Sequence, residues 1–372
     1  MINKFNTIIL FVLFLVCNSC KDANIKFDLV YDNSVRVIDV EDWKTVKTLK
    51  PVPISQVSLE LYDPWHINVA GNYLTIRERD GETDFLKFFS LENYSFLKSI
   101  GTRGEGPDEF TSVPTLLHND PKDQPRLTLL DWGRSLLHRV ELPELLYNNV
   151  WPPASSYLMP PELFLAQRAV FIPEDSTLIG FGGVNDGKLF KYDLATDSIL
   201  RFTPFYPEFN MNKSNFHESH RGYLYSGEMV VNQVAKKIAV ISNYFGQIEI
   251  YDYVLNLLSV TRLVEEPYVQ TIHKQGGLLR FIRSNSERIN YYQDLDFNDE
   301  HIFVLYGYRT SGKEKCVNKA ELHVFNWEGV PMHRYLLEDC PNRIVYDQNN
   351  NRIIGIFPHF EDWNSIIQYY QL

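Results

Sequence analysis

Residues 100–110 read Ile100-Gly101-Thr102-Arg103-Gly104-Glu105-Gly106-Pro107-Asp108-Glu109-Phe110. The glycines give the stretch the look of a phosphate-binding loop. It lacks the Lys-Ser/Thr ending of such a loop, however, and no helical pattern follows it. Glycines permit tight turns, and Pro107 fixes the backbone beside it. We therefore predict a turn-rich connection between two sheets, with Phe110 packed between them.

Two short strand patterns recur six times around this connection. One is a turn rich in Asn, Asp, Gly or Pro followed by a short apolar run. Its copies are residues 73–76, 127–130, 178–181, 238–241, 302–305 and 353–356. The other is an extended run that ends in an apolar or aromatic residue and a small polar one. Its copies are residues 85–90, 136–141, 189–193, 248–252, 322–326 and 367–371.

The order and spacing of the two patterns indicate a blade repeat. The first pattern precedes the second in every copy, and successive copies lie roughly fifty residues apart. Alternation as in Ile248-Glu249-Ile250-Tyr251 is typical of a strand. A further strand-like run usually follows and makes a hairpin, although Pro143 interrupts the copy at 136–141. We predict an all-β, six-bladed β-propeller. A β-sandwich would not need six matched copies, and no long segment carries the helical period that an α/β fold requires.

The two ends of the chain predict how the ring closes. The sixth copy ends at the last residue, Leu372, and leaves no room for a fourth strand. Strand-like runs at 46–49 and 57–62 have no blade of their own, so one of them is expected to supply the missing outer strand. Without it, the sheet edge would stay unpaired. The propeller is therefore predicted to span residues 46–372.

The N-terminal residues have the pattern of a targeting segment. Lys4 precedes an apolar run at 8–16, which has the length of a signal-peptide core and is too short to span a bilayer. Cys17-Asn18-Ser19-Cys20 follows and resembles a bacterial lipobox. The prediction is a signal peptide at 1–19, a lipidated Cys20 and a tether at 20–45. An ordinary cleaved signal peptide is the alternative. The expected location is the cell envelope, at the outer membrane, with the leaflet left open.

Composition limits the classes of partner. The 36 Lys and Arg residues and 47 Asp and Glu residues give a formal net charge of −11. Nucleic-acid binding needs a basic surface, so no nucleic-acid partner is expected. Aromatic residues make up 14% of the chain, and they favour strands.

Three stretches resemble the TolB-like six-bladed propeller lipoproteins of diderm bacteria. They are residues 101–110, residues 291–306 and the stretch Glu321-Leu322-His323-Val324-Phe325-Asn326-Trp327-Glu328-Gly329. The first also resembles the interblade segment of NHL-type propellers. The resemblance covers most of the mature chain. It implies the propeller fold and little about function, because propellers host many unrelated activities.

Candidate ligand-binding residues come from loops that a propeller places on one face. Interblade connections share a face with the loops between second and third strands, which brings together 100–110, 204–221 and 310–319. We expect Arg103, His220 and Arg221 to lie at this face, with Arg221 suited to an anion. Residues 216–221 lack the His-Glu-x-x-His spacing of a zinc site. Asp294-x-Asp296-x-Asn298-x-Glu300 lacks the glycine of a calcium loop. No metal or cofactor is predicted.

Two cysteines remain after signal cleavage, Cys316 and Cys340. An exported protein meets an oxidising compartment, in which disulfides persist. Cys316 lies in the insertion of blade five, and Cys340 follows the last strand of that blade on the same face. A bridge between them and two free thiols are both open alternatives.

The sequence favours a binding module over an enzyme. It has no Gly-x-Ser-x-Gly elbow and no local signature of a catalytic cysteine. We expect a membrane-anchored propeller that binds a protein partner or a small polar molecule at the mouth of its channel. The alternative is a hydrolase or lyase whose site is assembled from several blades. A purely structural scaffold, which would show a broad apolar patch, is a third reading.

Overall fold

Both recurring patterns form strands, and each occupies the same position in every blade. The computed structural model describes residues 35–79, 84–106, 109–117, 125–151, 155–159, 166–172, 176–184, 187–206, 225–264, 272–275, 278–281, 289–310, 320–358 and 365–372. The first pattern gives the second strand of each blade, and the second pattern gives the third strand. The predicted all-β, six-bladed propeller is confirmed.

Three short strands precede the blades, and we number all strands in chain order. They are β1 (Val35–Ile38), β2 (Thr45–Leu49) and β3 (Val52–Pro53). Blade 1 contains β4 (Pro64–Ala70), β5 (Tyr73–Glu78), β6 (Leu86–Ser90) and β7 (Phe96–Ile100). Blade 2 contains β8 (Thr115–Leu117), β9 (Arg126–Asp131), β10 (Leu136–Glu141) and β11 (Ser155–Leu158). Blade 3 contains β12 (Ala166–Ile172), β13 (Thr177–Val184), β14 (Gly187–Asp193) and β15 (Ser198–Phe202).

The second half of the ring repeats this order. Blade 4 contains β16 (Gly227–Asn232), β17 (Lys237–Ser242), β18 (Gln247–Asp252) and β19 (Leu257–Leu263). A separate hairpin of β20 (Ile272–Gln275) and β21 (Leu278–Phe281) follows. Blade 5 contains β22 (Ile289–Phe297), β23 (His301–Thr310), β24 (Glu321–Asn326) and β25 (Pro331–Leu337). Blade 6 contains β26 (Arg343–Asp347), β27 (Arg352–Pro358) and β28 (Ser365–Gln371).

An N-terminal strand closes the ring, as predicted. It is β3, which pairs antiparallel with β28, so that Val52 lies opposite Tyr369. The prediction of 46–49 or 57–62 as the closing strand was wrong. Residues 46–49 belong to β2, which pairs in parallel with β25 of blade 5. Pro53 suits an outer position because an edge strand leaves one side of its backbone unpaired.

The pairing of the chain with the propeller begins before residue 46. Strand β1 adds to blade 4 in parallel with β19, with Val35 opposite Val260. A short 3-10 helix at Val40–Asp42 follows, and the Asp39 side chain caps its first amide. Trp43 is then buried in the core between blades 4 and 5. Residues 35–53 thus fasten three consecutive blades, and the described part of the predicted tether takes part in the sheets.

Helices are short in the described part of the chain. Helix α1 (Ser55–Ser58) leads from β3 towards blade 1 and buries Val57. Helix α2 (Leu142–Asn148) stands between β10 and β11, and its Pro143 lies in the first turn, where a missing N–H is tolerated. In blade 2, which corresponds to the interrupted second repeat, this helix therefore separates the third strand, β10, from the outer strand, β11. No described helix is long and apolar enough to span a bilayer.

Among the described residues, each contact between neighbouring blades has its own hydrophobic cluster, and a smaller cluster is formed by Tyr225, Tyr244 and Phe245. Each sheet is packed on both faces, which is why strands such as β17 are nearly continuous apolar runs. Phe110 is buried between blades 1 and 2, as predicted. The cluster between blades 6 and 1 joins Val345 and Ile354 to Ile67 and Leu74, so the packing closes the ring.

Candidate functional site

Strand pairing determines which ends of the strands meet. In blade 1, Pro64 at the start of β4 lies opposite Glu78 at the end of β5, and Leu86 at the start of β6 lies opposite Ile100 at the end of β7. The connections between blades therefore share one side of the ring with the loops between second and third strands. We call this side the interblade face and the other the opposite face. From blade 2 through blade 6 and on to blade 1, the first strands of neighbouring blades contact one another.

Charged side chains from five blades meet at the centre of the interblade face. Four of these side chains lie at strand ends on this face. The fifth, Asp294, lies on the long first strand of blade 5. We call them the mouth cluster, which consists of Arg77, Arg168, Glu228, Asp294 and Arg343.

Glu228 joins two arginines from other blades. Arg168 approaches it with two nitrogens: Nε donates to Oε2, and Nη2 donates to Oε1 at 2.5 Å. Arg343 Nη1 donates to Oε1 at 2.9 Å. The Glu228 side chain is only 10% exposed, so water screens these contacts weakly. Blades 3, 4 and 6 are therefore connected through one carboxylate.

Asp294 ties blade 5 to blade 6. Its Oδ1 lies 3.5 Å from Arg343 Nη1, and its Oδ2 accepts the backbone N–H of Ile344 at 2.8 Å. Burial alone would lower the pKa of Arg343, but Glu228 and Asp294 outweigh it, and the pKa is raised. Arg343 is therefore a permanent cation that the fold has already paired.

The calcium-like pattern that begins at Asp294 has a structural use. Asp296 Oδ2 accepts the backbone N–H of Tyr346 at 2.6 Å, one step further along blade 6. Asn298 Oδ1 accepts the N–H of Glu300 and of His301 in the turn between β22 and β23. These oxygens hold backbone amides. In the described residues, no group of three or more His, Cys, Asp or Glu side chains could hold a metal ion.

Arg77 differs from the other two guanidinium groups of the cluster. Its Nε is buried and has no hydrogen-bond partner among the described residues. The pKa of Arg77 is lowered to about 10, first by burial and then by repulsion from Arg168, Arg343 and Arg79. The mouth cluster thus contains three guanidinium groups and two carboxylates, and Arg77 is the cation that these carboxylates leave uncompensated.

A tryptophan from the first strand of blade 1 borders the cluster. The guanidinium carbon of Arg79 lies 3.9 Å from the centre of the Trp65 ring, and that of Arg343 lies 5.7 Å from it. Arg79 is half exposed and pairs with Asp63 at 3.4 Å. Trp65 therefore lies beside two paired cations, on the strand that pairs with the strand of Arg77.

The glycine-rich loop at 100–110 folds onto its own carboxylate. Glu109 Oε2 accepts the backbone N–H of Gly106 at 2.7 Å, and a Cβ on Gly104 would meet this carboxylate. Gly101 has a φ of +91° and lies against the Phe110 ring. The amide of Gly106 is therefore satisfied by a carboxylate of the loop itself.

Arg103 is exposed in the structure. Its guanidinium carbon lies 5.7 Å from the centre of the Phe85 ring, and its backbone forms a bridge with Phe110. It lies on the connection between β7 of blade 1 and β8 of blade 2, at the interblade face. His220, Arg221, Cys20 and Cys316 lie outside the described residues. Cys340 is disulfide-bonded, and its partner lies outside them too.

Sequence reasoning did not single out the arginines of the mouth cluster. Arg168 and Glu228 are 60 residues apart, and Glu228 and Arg343 are 115 residues apart. A signal did exist: blades 3, 4 and 6 each have a charged residue within the first three positions of the first strand. Aligning the six copies on their first strands would have exposed it.

Comparison with known proteins adds evidence for the fold. No protein-family model matches the chain, and no curated protein matches it. Among solved structures, it is similar to a "Putative exported protein" from Bacteroides fragilis, with a TM-score of 0.52, 12% identity and coverage of 95% of this chain and 97% of that chain.

A second solved structure is similar to this chain over a comparable share of both chains. It is a member of the DUF4221 family from Bacteroides vulgatus, with a TM-score of 0.50, 11% identity and coverage of 93% of this chain and 98% of that one. At such identities the likeness shows the fold alone. The resemblance to TolB-like lipoproteins stays a prediction. What the comparisons establish is that the chain is similar in architecture, over nearly its whole length, to these two solved proteins.

Proposed function

We propose that this protein is a lipid-anchored binding module of the bacterial cell envelope, and that its ligand binds at the mouth of the channel on the interblade face. The mouth cluster carries the proposal, because five blades contribute charged side chains to one place. Loops and strand ends held on a rigid scaffold are where binding sites commonly lie.

The composition of the cluster favours binding over catalysis. Acid–base catalysis uses a group whose pKa lies near the working pH. Arg343 stays charged, and Glu228 and Asp294 are held by guanidinium and backbone N–H groups. Side chains fixed in this way can recognise a ligand without exchanging protons with it. The hydrolase or lyase alternative would need a nucleophile or base in addition to these groups.

The proposed location rests on the N-terminal sequence. Lys4, the apolar run at 8–16 and Cys17-Asn18-Ser19-Cys20 form a lipoprotein-type signal. One protein of similar fold bears the description "exported". Acyl chains on Cys20 would hold the propeller at a membrane, each buried methylene contributing about 0.8 kcal/mol. We place it at the outer membrane.

Metabolic labelling tests the anchor. Cells that express the protein are grown with an alkyne-bearing palmitate, and the purified protein is tested for label. The wild type should carry label and fractionate with membranes, whereas Cys20→Ser should do neither. Label that persists in Cys20→Ser but disappears in Cys17→Ser would place the lipid on the other cysteine.

Site-specific photo-cross-linking tests the binding face. Tyr62 is 68% exposed and lies on the connection from β3 to β4, at the interblade face. Val234 is 64% exposed and lies between β16 and β17, at the opposite face, so it is the matched control. A photoreactive amino acid is placed at each position in cells, and adducts are identified by mass spectrometry.

Native mass spectrometry of the purified protein complements the cross-linking, because it detects a small molecule that co-purifies. The proposal expects an adduct from position 62 and none from position 234, or a co-purifying small molecule that is lost on Glu228→Gln. Equal adducts at both positions, or adducts at position 234 alone, would contradict a ligand site at the interblade face.

A further inference from the structure

The charge of the mouth cluster is opposite in sign to that of the whole chain. The formal net charge is −11. At the mouth, however, three guanidinium groups face two carboxylates, which leaves an excess of one positive charge. Arg79 adds no further excess because Asp63 pairs with it. A positive site in an acidic protein attracts an anion and repels a cation.

The two carboxylates of the cluster are committed to other groups. Glu228 receives hydrogen bonds on both oxygens, from Arg168 and Arg343. Asp294 uses one oxygen for Arg343 and the other for the amide of Ile344. Neither neutralises Arg77, whose Nε has no hydrogen-bond partner in the described part of the chain. A buried donor without an acceptor destabilises the protein unless water or a ligand supplies one.

We propose that the mouth cluster binds an oxyanion group of a small molecule, a carboxylate or a phosphate, and that Arg77 is the residue that receives it. The inference rests on the proposed function and names the ligand class of the same site. A guanidinium group is planar and can donate two parallel hydrogen bonds to two oxygens of a carboxylate or of a phosphate. Arg168 and Arg343 lie close enough to repel Arg77, and they strengthen the field that holds the anion.

Binding of the anion should also offset the unfavourable electrostatic energy of Arg77 in the free protein. With no anion bound, Arg77 is a partly buried cation that Arg168 and Arg343 repel, and this raises the free energy of the folded state. Its replacement by neutral Gln should therefore leave the protein at least as stable as the wild type. An arginine with a purely structural role would have the contrary effect, because its removal breaks contacts that the fold uses. Thermal stability of Arg77→Gln without ligand is thus an independent readout.

The probes are inorganic phosphate and succinate, with chloride at matched ionic strength as the reference. Isothermal calorimetry and thermal unfolding are measured on the wild type, Arg77→Gln, Arg77→Lys and Arg126→Gln. Arg126 pairs with Glu141 at the opposite face and is the matched control. Comparing phosphate with succinate distinguishes the two oxyanion chemistries.

We expect phosphate or succinate to bind the wild type and Arg126→Gln and to raise their melting temperatures above those in chloride. Arg77→Gln should lose at least about tenfold in affinity, or about 1.4 kcal/mol, and should melt no lower than the wild type. Arg77→Lys should bind the anion more weakly than the wild type and more tightly than Arg77→Gln, because lysine keeps the positive charge but lacks the planar guanidinium group.

Any of three results would overturn the inference. The first is a wild type to which neither anion binds in excess of chloride. The second is an Arg77→Gln variant that binds normally, and the third is an Arg77→Gln variant that is clearly destabilised. If cross-linking still places a ligand at position 62, the proposed function stands and only the oxyanion assignment fails. If position 62 gives no adduct and no small molecule co-purifies, the proposed function fails as well.

Discussion

Lys188 Nζ lies 2.6 Å from Glu249 Oε1 between blades 3 and 4, and both side chains are fully buried. Gln247 donates to the same oxygen at 2.5 Å, and the Tyr251 hydroxyl donates to the other. Burial and then the negative charge of Glu249 raise the pKa of Tyr251 well above its usual value, so Tyr251 stays a donor. Glu249 thus depends on a complete set of donors.

Lys188→Met should destabilise the protein by about 3–5 kcal/mol, because it leaves the Glu249 carboxylate buried without its cation. Chemical denaturation in urea measures the loss. In the double variant Lys188→Met, Glu249→Leu, the unpaired charge is gone as well, and much of the stability should return. A double variant that is as unstable as the sum of both single variants would show that the pair itself is the stabilising feature.

His323 should make stability depend on pH. Burial lowers its pKa, and Arg334 adds to this, whereas Glu321 opposes it. Glu321 Oε2 lies 2.8 Å from His323 Nε2, and the Tyr292 hydroxyl lies 3.3 Å from Nδ1. The folded state therefore favours neutral His323. The stability it contributes is fully present above the unfolded pKa of about 6.5 and is lost as pH falls below that value.

The check is the melting temperature of the wild type and His323→Gln between pH 5 and pH 8. The wild type should lose more stability than the variant as the pH falls below about 6.5. Other histidines contribute to both proteins, since burial also lowers the pKa of His138. Only the difference between the two curves therefore reports on His323. Parallel curves would contradict a neutral, buried His323. The carboxyl of Glu321, whose pKa is lowered to about 2, stays ionised across this range.

Trp43 should anchor the N-terminal strands to the propeller. Its ring centre lies 4.5 Å from that of His323 and 5.2 Å from that of Phe325, in the core between blades 4 and 5. Trp43→Ala should cost about 3–5 kcal/mol of unfolding free energy. Val46→Ala, at a half-exposed position of β2, should stay within about 0.5 kcal/mol of the wild type. Similar losses in both variants would argue against a specific role for Trp43.

Gly101 should be required by backbone geometry. Its φ of +91° is strained for any residue with a side chain, and a Cβ would lie 3.0 Å from the Phe110 ring. Gly101→Ala should destabilise the protein by about 1–3 kcal/mol. At Gly106 an added Cβ meets only the end of the flexible Glu109 side chain, so Gly106→Ala should be milder. Thermal unfolding of the two variants side by side makes the comparison, and equal losses would contradict it.

We expect the disulfide partner of Cys340 to be Cys316. Mass spectrometry of non-reduced peptides should show these two residues linked. The closed loop should contribute roughly 3 kcal/mol by chain entropy. Cys316→Ser and Cys340→Ser should therefore each destabilise the protein about as much as the double variant does. A linked peptide that contains Cys340 and a different cysteine would contradict this pairing.

Local patterns predicted most of the fold. The twelve repeat segments became the second and third strands of six blades, because alternation and turn residues act over a few neighbouring positions. The same reasoning failed at the closing strand. Val52 and Pro53 are a minimal pair of residues with no pattern of their own, and their partner Tyr369 is more than 300 residues away. The parallel addition of β1 and β2 to outer edges has no local signal either.

The sequence by itself determined the sixfold repeat, the turn character of residues 100–110 and the absence of the local catalytic signatures that we sought. Only the tertiary structure decided which charges meet at the mouth. Glu228 finds Arg168 and Arg343 because the ring brings the starts of the first strands to one centre, and no spacing along the chain encodes that meeting. Arg77 became a candidate ligand residue for the same reason: whether a guanidinium is compensated depends on every blade that surrounds it.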